Sequence, residues 1–352
     1  MGGRRSAGFA MLLAALIGLV PAPLRAGEPV SFTLHDFQFE DGPVLPELRI
    51  AYETYGALSP ARDNAIVLLH DAGGDRHAFE PLIGPGKLFD TDRYFVVAAD
   101  AIGGGDSSSP ADGAGQDFPR YGVRDMMEAE HALVTEGLGL REVHAVVGRS
   151  MGAFVALEWA IHHPGLIRRL ALIGPAVRTE ASLDLIVDLI ASVIALDPEW
   201  QGGRYARNPV EGLRRAGMLY YPWSVTASYL DRISPHALGQ ELEAAAQSFA
   251  AWDANSLVWR LSACRGFDVT GPFDGDLAAA LTPVTMPVLL LPIASDRLYG
   301  PSGARRLRDG LARASYAEIP SDLGHRAVDS PPDTAAAAQI ERLVRDFIAP
   351  PK

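Results

Sequence analysis

The sequence predicts an α/β layered fold, a mostly parallel central sheet flanked by helices, with a helical cap inserted before the late core strands. Three observations predict it. Short β-branched-rich apolar runs, bounded by Gly, Asp or Pro, alternate with helix-like stretches, as buried parallel strands joined by helices do. That alternation stops from about residue 176 to about 285, where only helix-like segments occur, and resumes at Val288. And 352 residues at 48% hydrophobic content supply one sizeable core, which excludes wholesale disorder.

Taken in order, residues 1–26 read as a secretory leader. Arg4 and Arg5 open it, Gly8 to Val20 is an unbroken run of apolar residues and glycine, and Leu24-Arg25-Ala26 offers a cut after a small residue. Val20-Pro21-Ala22 is a competing cut, disfavoured by Pro23. The apolar run is shorter than the ~20 residues that span a bilayer, so no stable membrane anchor is expected after cleavage, and the mature protein would be periplasmic or secreted. Residues 27–175 then form the first part of the core. Leu48 to Thr54 reads as a strand near the sheet edge. Ala65 to His70, Tyr94 to Ala99, Val143 to Val147 and Leu170 to Ile173 read as inner strands, with helices at Val123 to Glu136 and Met151 to His162. The cap, residues 176–285, carries helix-like segments at Ser182 to Ala195, Pro209 to Tyr220, Leu238 to Ala251 and Ser256 to Cys264. Residues 286–352 complete the core, with strands at Val288 to Pro292 and Ala314 to Ile319 and helices at Ser302 to Leu311 and Thr334 to Ile348.

Composition narrows the function. A net charge of −12, or −15 once the leader's three arginines are gone, argues against nucleic acid, whose phosphates need a basic face. The single cysteine, Cys264, precludes an internal disulfide and a multi-cysteine zinc site. No metal-ligand spacing or dinucleotide fingerprint occurs, so neither a metal nor a cofactor is expected. Asp100 to Ser107 is glycine-rich but lacks a lysine and a following helix pattern, and reads as a turn rather than a phosphate loop.

The chemistry is carried by Gly148-Arg149-Ser150-Met151-Gly152, a G-x-S-x-G with a strand before it and a helix after it. Such a sharp strand-to-helix turn exposes a serine hydroxyl at the carboxyl edge of the sheet, so Ser150 is the candidate nucleophile. His325, in the loop before the last helix, is the candidate general base. Asp296, in the loop after the Val288 strand, is the candidate orienting acid, with Asp322 as its rival. The order Ser, Asp, His suits a triad recognised by role rather than spacing. Backbone N–H groups of Met151 and Ala72, the latter in His70-Asp71-Ala72-Gly73-Gly74, are the candidate oxyanion donors.

Together these residues resemble the α/β-hydrolase superfamily, and more closely its homoserine O-acetyltransferase-like branch. Val146 to Gly152 with Ala156-Leu157-Glu158-Trp159-Ala160 is similar to that branch's nucleophile segment, Phe249 to Leu257 to a cap segment, and Leu68 to Gly74 with His77 to its oxyanion loop. The resemblance implies an α/β-hydrolase fold and an acyl-enzyme on Ser150. It also marks departures. The branch has an Asp directly after the histidine, where it meets the substrate amine; here that position is Arg326. A cap Arg that meets the substrate carboxylate aligns with Gly217, and a cap Tyr with Ser224. Arg149 stands where the branch has Gly. Arg149 and Arg326 would therefore favour an acidic group on the substrate. The expected function is an exported serine ester hydrolase acting on a small-molecule acyl ester. The alternatives are an O-acyltransferase with another donor or alcohol acceptor, and a non-catalytic binding protein on the same fold. Monomer and dimer both stay open.

Overall fold

A computed structural model of the chain describes residues 30–329 and 334–349. The leader expected over residues 1–26 lies outside the described residues. Among them, eight strands form one sheet: β1 (Val30–Gln38), β2 (Val44–Tyr55), β3 (Ala65–Leu69), β4 (Phe95–Ala99), β5 (Ala145–Arg149), β6 (Leu170–Ile173), β7 (Val288–Leu291) and β8 (Ala314–Tyr316), in the order β1-β2-β4-β3-β5-β6-β7-β8. β1, β2 and β4 pair antiparallel; every pair from β4 to β8 is parallel.

The inner strands are apolar, apart from Arg149 at the carboxyl end of β5, because both of their faces are covered. Val67, Val97, Val146, Leu172 and Leu290 point into one core, and Ile66, Val96, Val147, Ala171 and Leu289 into the other. α1 (Val123–Ala132) and α2 (Met151–His162) close the first face, and α10 (Ala335–Ile348) closes the second with Ile340, Val344 and Ile348. The helix expected to run to Glu136 changes character at Leu133, where a wider π turn carries the chain to Gly137. β8 is shorter than expected, yet Ile319 still bridges Ile293 beyond it.

β6 and β7 are sheet neighbours, but the chain between them leaves the sheet. It passes through α3 (Ala181–Ala195), α4 (Val210–Ser224), α5 (Ala227–Leu230), α6 (Pro235–Ala250), α7 (Ala254–Arg265) and α8 (Leu277–Leu281) before β7; α9 (Pro301–Gly310) follows. The stretch leaves and returns through a neck in which Arg178 bridges Asp268, Thr179 N donates to Phe267 O (3.0 Å) and Val269 N to Val177 O (3.1 Å). No helix of the described residues is long and apolar enough to cross a membrane.

Candidate active site

β5 ends at Arg149 and α2 begins at Met151, so Ser150 alone turns the chain. It does so at φ 52° and ψ −120°, a strained conformation for a residue with a β-carbon. The turn is possible because the flanking residues are glycines. A β-carbon on Gly148 would lie 2.1 Å from Gly152 O, and one on Gly152 only 2.0 Å from Leu69 O.

The Ser150 hydroxyl meets His325 Nε2 at 2.9 Å, and His325 Nδ1 meets Asp296 Oδ2 at 2.7 Å. A carboxylate only accepts, so Nδ1 carries the proton and Nε2 is left to accept from Ser150. Asp296 reaches the histidine because the β7–β8 pairing continues past the strands: Ile319 N donates to Pro292 O (2.8 Å) and Ala294 N to Ile319 O (3.0 Å). Its other oxygen accepts from Leu298 N (2.8 Å) and Tyr299 N (3.2 Å). Burial pushes its pKa up, but His325 and these N–H groups outweigh that and hold it below the usual value. For His325, burial pulls the pKa down, and the Asp296 carboxylate reverses that and leaves it raised. Asp322 is engaged elsewhere, in an ion pair with Arg232 and through its carbonyl with Thr226.

The oxyanion loop follows β3. Gly73 N is taken by Asp71 Oδ1 (3.0 Å) and Gly74 N by Asp71 O (3.1 Å). Among the described residues no acceptor lies on the N–H of Ala72 or of Met151. Ala72 borders the same cavity as Ser150 and His325.

The model of the α/β-hydrolase fold family matches residues 64–330. A homoserine O-acetyltransferase of Leifsonia xyli subsp. xyli is 35% identical over 82% of this chain and 83% of its own length. The chain belongs to the α/β-hydrolase family, in its homoserine O-acetyltransferase-like branch. A homoserine O-succinyltransferase of Laribacter hongkongensis is 32% identical over 88% of this chain and 93% of that protein. Among solved structures, the acetyl esterase MekB superposes with a TM-score of 0.86 at 26% identity, covering 92% of this chain and 97% of that one. This α/β-hydrolase is thus an enzyme of the O-acyltransferase or hydrolase type.

The two arginines read from the sequence do not converge as a free anion site. Arg149 is paired with Asp71 (3.0 Å) and Asp329 (3.1 Å) and lies over the Phe79 ring, on the wall of a second, apolar cavity of about 190 Å³. Arg326 borders the Ser150 cavity, but its guanidinium is paired with Glu241, which also accepts from Tyr221 and Tyr229. Each positive charge is therefore already met within the protein. Asp329 borders both cavities. Desolvation at the cavity wall, with Asp71 beside it, raises its carboxyl above the usual carboxylate range, although about half of the side chain remains exposed.

The Ser150 cavity holds about 260 Å³ between the sheet edge and the helices α3, α4, α6 and α7 of this α/β-hydrolase. Leu183, Ile186, Ile190, Phe249, Trp252 and Leu257 give it an apolar wall, and Tyr220, Ser224 and Cys264 also face it. Gly217 does not: a β-carbon there would lie 2.3 Å from Ala245 O, because α4 and α6 pack at that point. The alignment that set Gly217 against a substrate-binding arginine therefore puts it in a helix interface, where no arginine fits. The sequence reading missed Asp71, Asp329 and Tyr220 as cavity residues. Asp71 was adjacent to a candidate donor and offered a signal; Asp329 and Tyr220 carried none beyond proximity in the fold. One group among the described residues, Glu128, His131 and His163, brings possible metal ligands within 4.8 Å of one another. Its two imidazoles are stacked at 3.7 Å and 12°, so their in-plane lone pairs run side by side rather than toward one ion.

Proposed function

We propose that this enzyme transfers a small acyl group through an acyl-Ser150 intermediate to a hydroxyl acceptor. The observation that carries the reading is the continuous Ser150–His325–Asp296 relay, 2.9 and 2.7 Å, at the floor of a largely apolar cavity. In this reading His325 Nε2 takes the Ser150 proton as Oγ attacks the acyl carbonyl. Asp296 holds the imidazolium that forms, and the N–H groups of Ala72 and Met151 receive the oxyanion. His325 returns the proton to the leaving group, and the acceptor repeats the sequence on the acyl-enzyme. The homoserine O-acyltransferase relatives support an alcohol as acceptor, which sets acyl transfer ahead of the hydrolysis that sequence analysis ranked first. Arg326, Asp71 and Asp329 border the cavity, each already paired within the protein, and an acceptor bearing both charges would meet them there.

Hydrolysis, with water as acceptor, is the second reading. One observation favours it: the position after the histidine holds Arg326, neutralised by Glu241, in place of the acid that meets an amine. The likeness to an acetyl esterase points the same way. Partition of the acyl-enzyme decides. Purified protein is given acetyl-CoA or p-nitrophenyl acetate with and without homoserine, and O-acetylhomoserine and acetate are counted. Transfer exceeding acetate release by about tenfold supports the first reading; acetate as the sole product, unchanged by homoserine, supports the second.

A further inference from the structure

Arg260 lies in the middle of α7 and is fully buried, 0% exposed. Among the described residues no carboxylate lies within ion-pair distance of it. Its guanidinium donates instead to backbone carbonyls of two loops: Gly74 O (3.1 Å) after β3, and Ala101 O (3.0 Å) and Ile102 O (3.4 Å) after β4. The Trp252 ring covers it at 4.8 Å. Burying a cation without an anion is costly, and an apolar residue at the same helix position would not carry that cost.

The hydrogen bonds continue from Arg260 toward the oxyanion loop. The residue whose carbonyl it holds, Ala101, donates its own N–H to His70 Nε2 (3.0 Å). His70 Nδ1 then meets Asp71 O at 2.6 Å. Nε2 accepts, so Nδ1 carries the proton and donates it to that carbonyl. The histidine is neutral, held by burial and by the Arg260 charge near pKa 4. Asp71 O also accepts from Gly74 N (3.1 Å). In a trans peptide the C=O and the following N–H point in opposite directions. Pinning Asp71 O against His70 and Gly74 therefore turns the Ala72 N–H the other way, toward the cavity that holds Ser150.

We propose that Arg260 and His70 are positioning residues, a buried relay from the helical segment to the oxyanion loop that aims the Ala72 N–H at the developing oxyanion. The inference rests on the reading of Ser150 as nucleophile. It means that the helices above the sheet do more than wall the cavity: one of them sets the geometry of a donor.

The test uses the full-length enzyme with Arg260→Gln, Arg260→Lys and His70→Asn, p-nitrophenyl acetate as substrate and methylboronic acid as a tetrahedral adduct former on Ser150. Arg260→Gln should lower kcat on the order of 10- to 100-fold while KM moves by no more than about threefold. Methylboronic acid should lose affinity by a similar factor. Arg260→Lys, which keeps the charge and part of the donation, should recover some of the loss, and His70→Asn should reproduce it. If Arg260→Gln does not fold, by thermal melting, the other two variants carry the same comparison. A folded variant with kcat and boronate affinity within about threefold of wild type overturns the proposal, as does a loss carried by KM with kcat unchanged. Ser150→Ala separates the two levels: if it retains turnover, the nucleophile reading fails and takes the relay with it. If it abolishes turnover while the relay variants stay active, only the relay fails.

Discussion

Asp296 and His325 illustrate how a buried pair sets a working pH. Catalysis needs the neutral imidazole, so kcat/KM should rise with pH through the His325 pKa, which Asp296 leaves above its ordinary 6.5. Asp296→Asn removes that raising charge and frees the wrong tautomer. The rate should fall by about 10⁴-fold and the acid limb should move to lower pH. A pH–rate profile of both proteins checks the two together; an unmoved limb would sink the assignment of Asp296. Cys264 gives a second residue-scale expectation. It faces the Ser150 cavity, where burial pushes its thiol up to about 12. Only on the order of 10⁻⁴ of it is thiolate at pH 8, so iodoacetamide should label it in urea but barely in the native protein, as read by intact mass. At this scale the sequence was informative where chemistry imposes a pattern. Ser150 was legible from its flanking glycines, and His325 and Asp296 from their places after late strands. Arg149 and Arg326 misled, because a sequence displays a charge but not the Asp71, Asp329 and Glu241 side chains that neutralise it. Arg260 could have been noticed as a lone charge among Leu257, Trp259, Leu261 and Ala263.

Among the elements, the inner strands were readable because burial on both faces makes them continuous apolar runs. β1 was not, since an edge strand is half exposed and its apolar positions, Val30, Phe32, Leu34 and Phe37, are interrupted by polar ones. Its presence places Val44–Tyr55 second from the edge, in keeping with the position near the edge expected for that strand. The junction of β5 and α2 depends on close approach more than on helix or strand preference. Gly152→Ala would drive a β-carbon into Leu69 O, 2.0 Å away, on the strand that leads to the oxyanion loop. A loss of about 1–3 kcal/mol in urea unfolding is expected, together with a fall in activity. An alanine variant as stable and active as wild type would mean that the two chains pass with more room.

For the molecule as a whole, pH should act on stability through Glu130, which is buried on α1 with Oε2 unpartnered and is pushed by burial up to about 8. An unfolded glutamate titrates near 4.3. Between those values the folded protein keeps a proton that the unfolded chain has released, so this group's contribution to stability falls as pH rises through that window. Glu130→Gln should flatten the decline between about pH 5 and pH 8 in urea midpoints; an unchanged slope would assign it to other groups. We also propose that residues 1–26 direct export. Expressed with them, the mature protein should begin at Gly27 and leave the cytoplasm, and an intact mass that retains Met1 in a cytoplasmic fraction would overturn this. The boundary between sheet and helices has a further effect, on how the chain folds. β6 and β7 lie side by side, with Gly174 N donating to Leu291 O at 2.9 Å, yet about 110 residues separate them along the chain. Closing so long a loop costs about 4 kcal/mol of chain entropy before the pairing returns anything. The late strands should therefore join the sheet last, and the Arg178–Asp268 neck, by bringing the two ends of the helical stretch together first, would shorten that search.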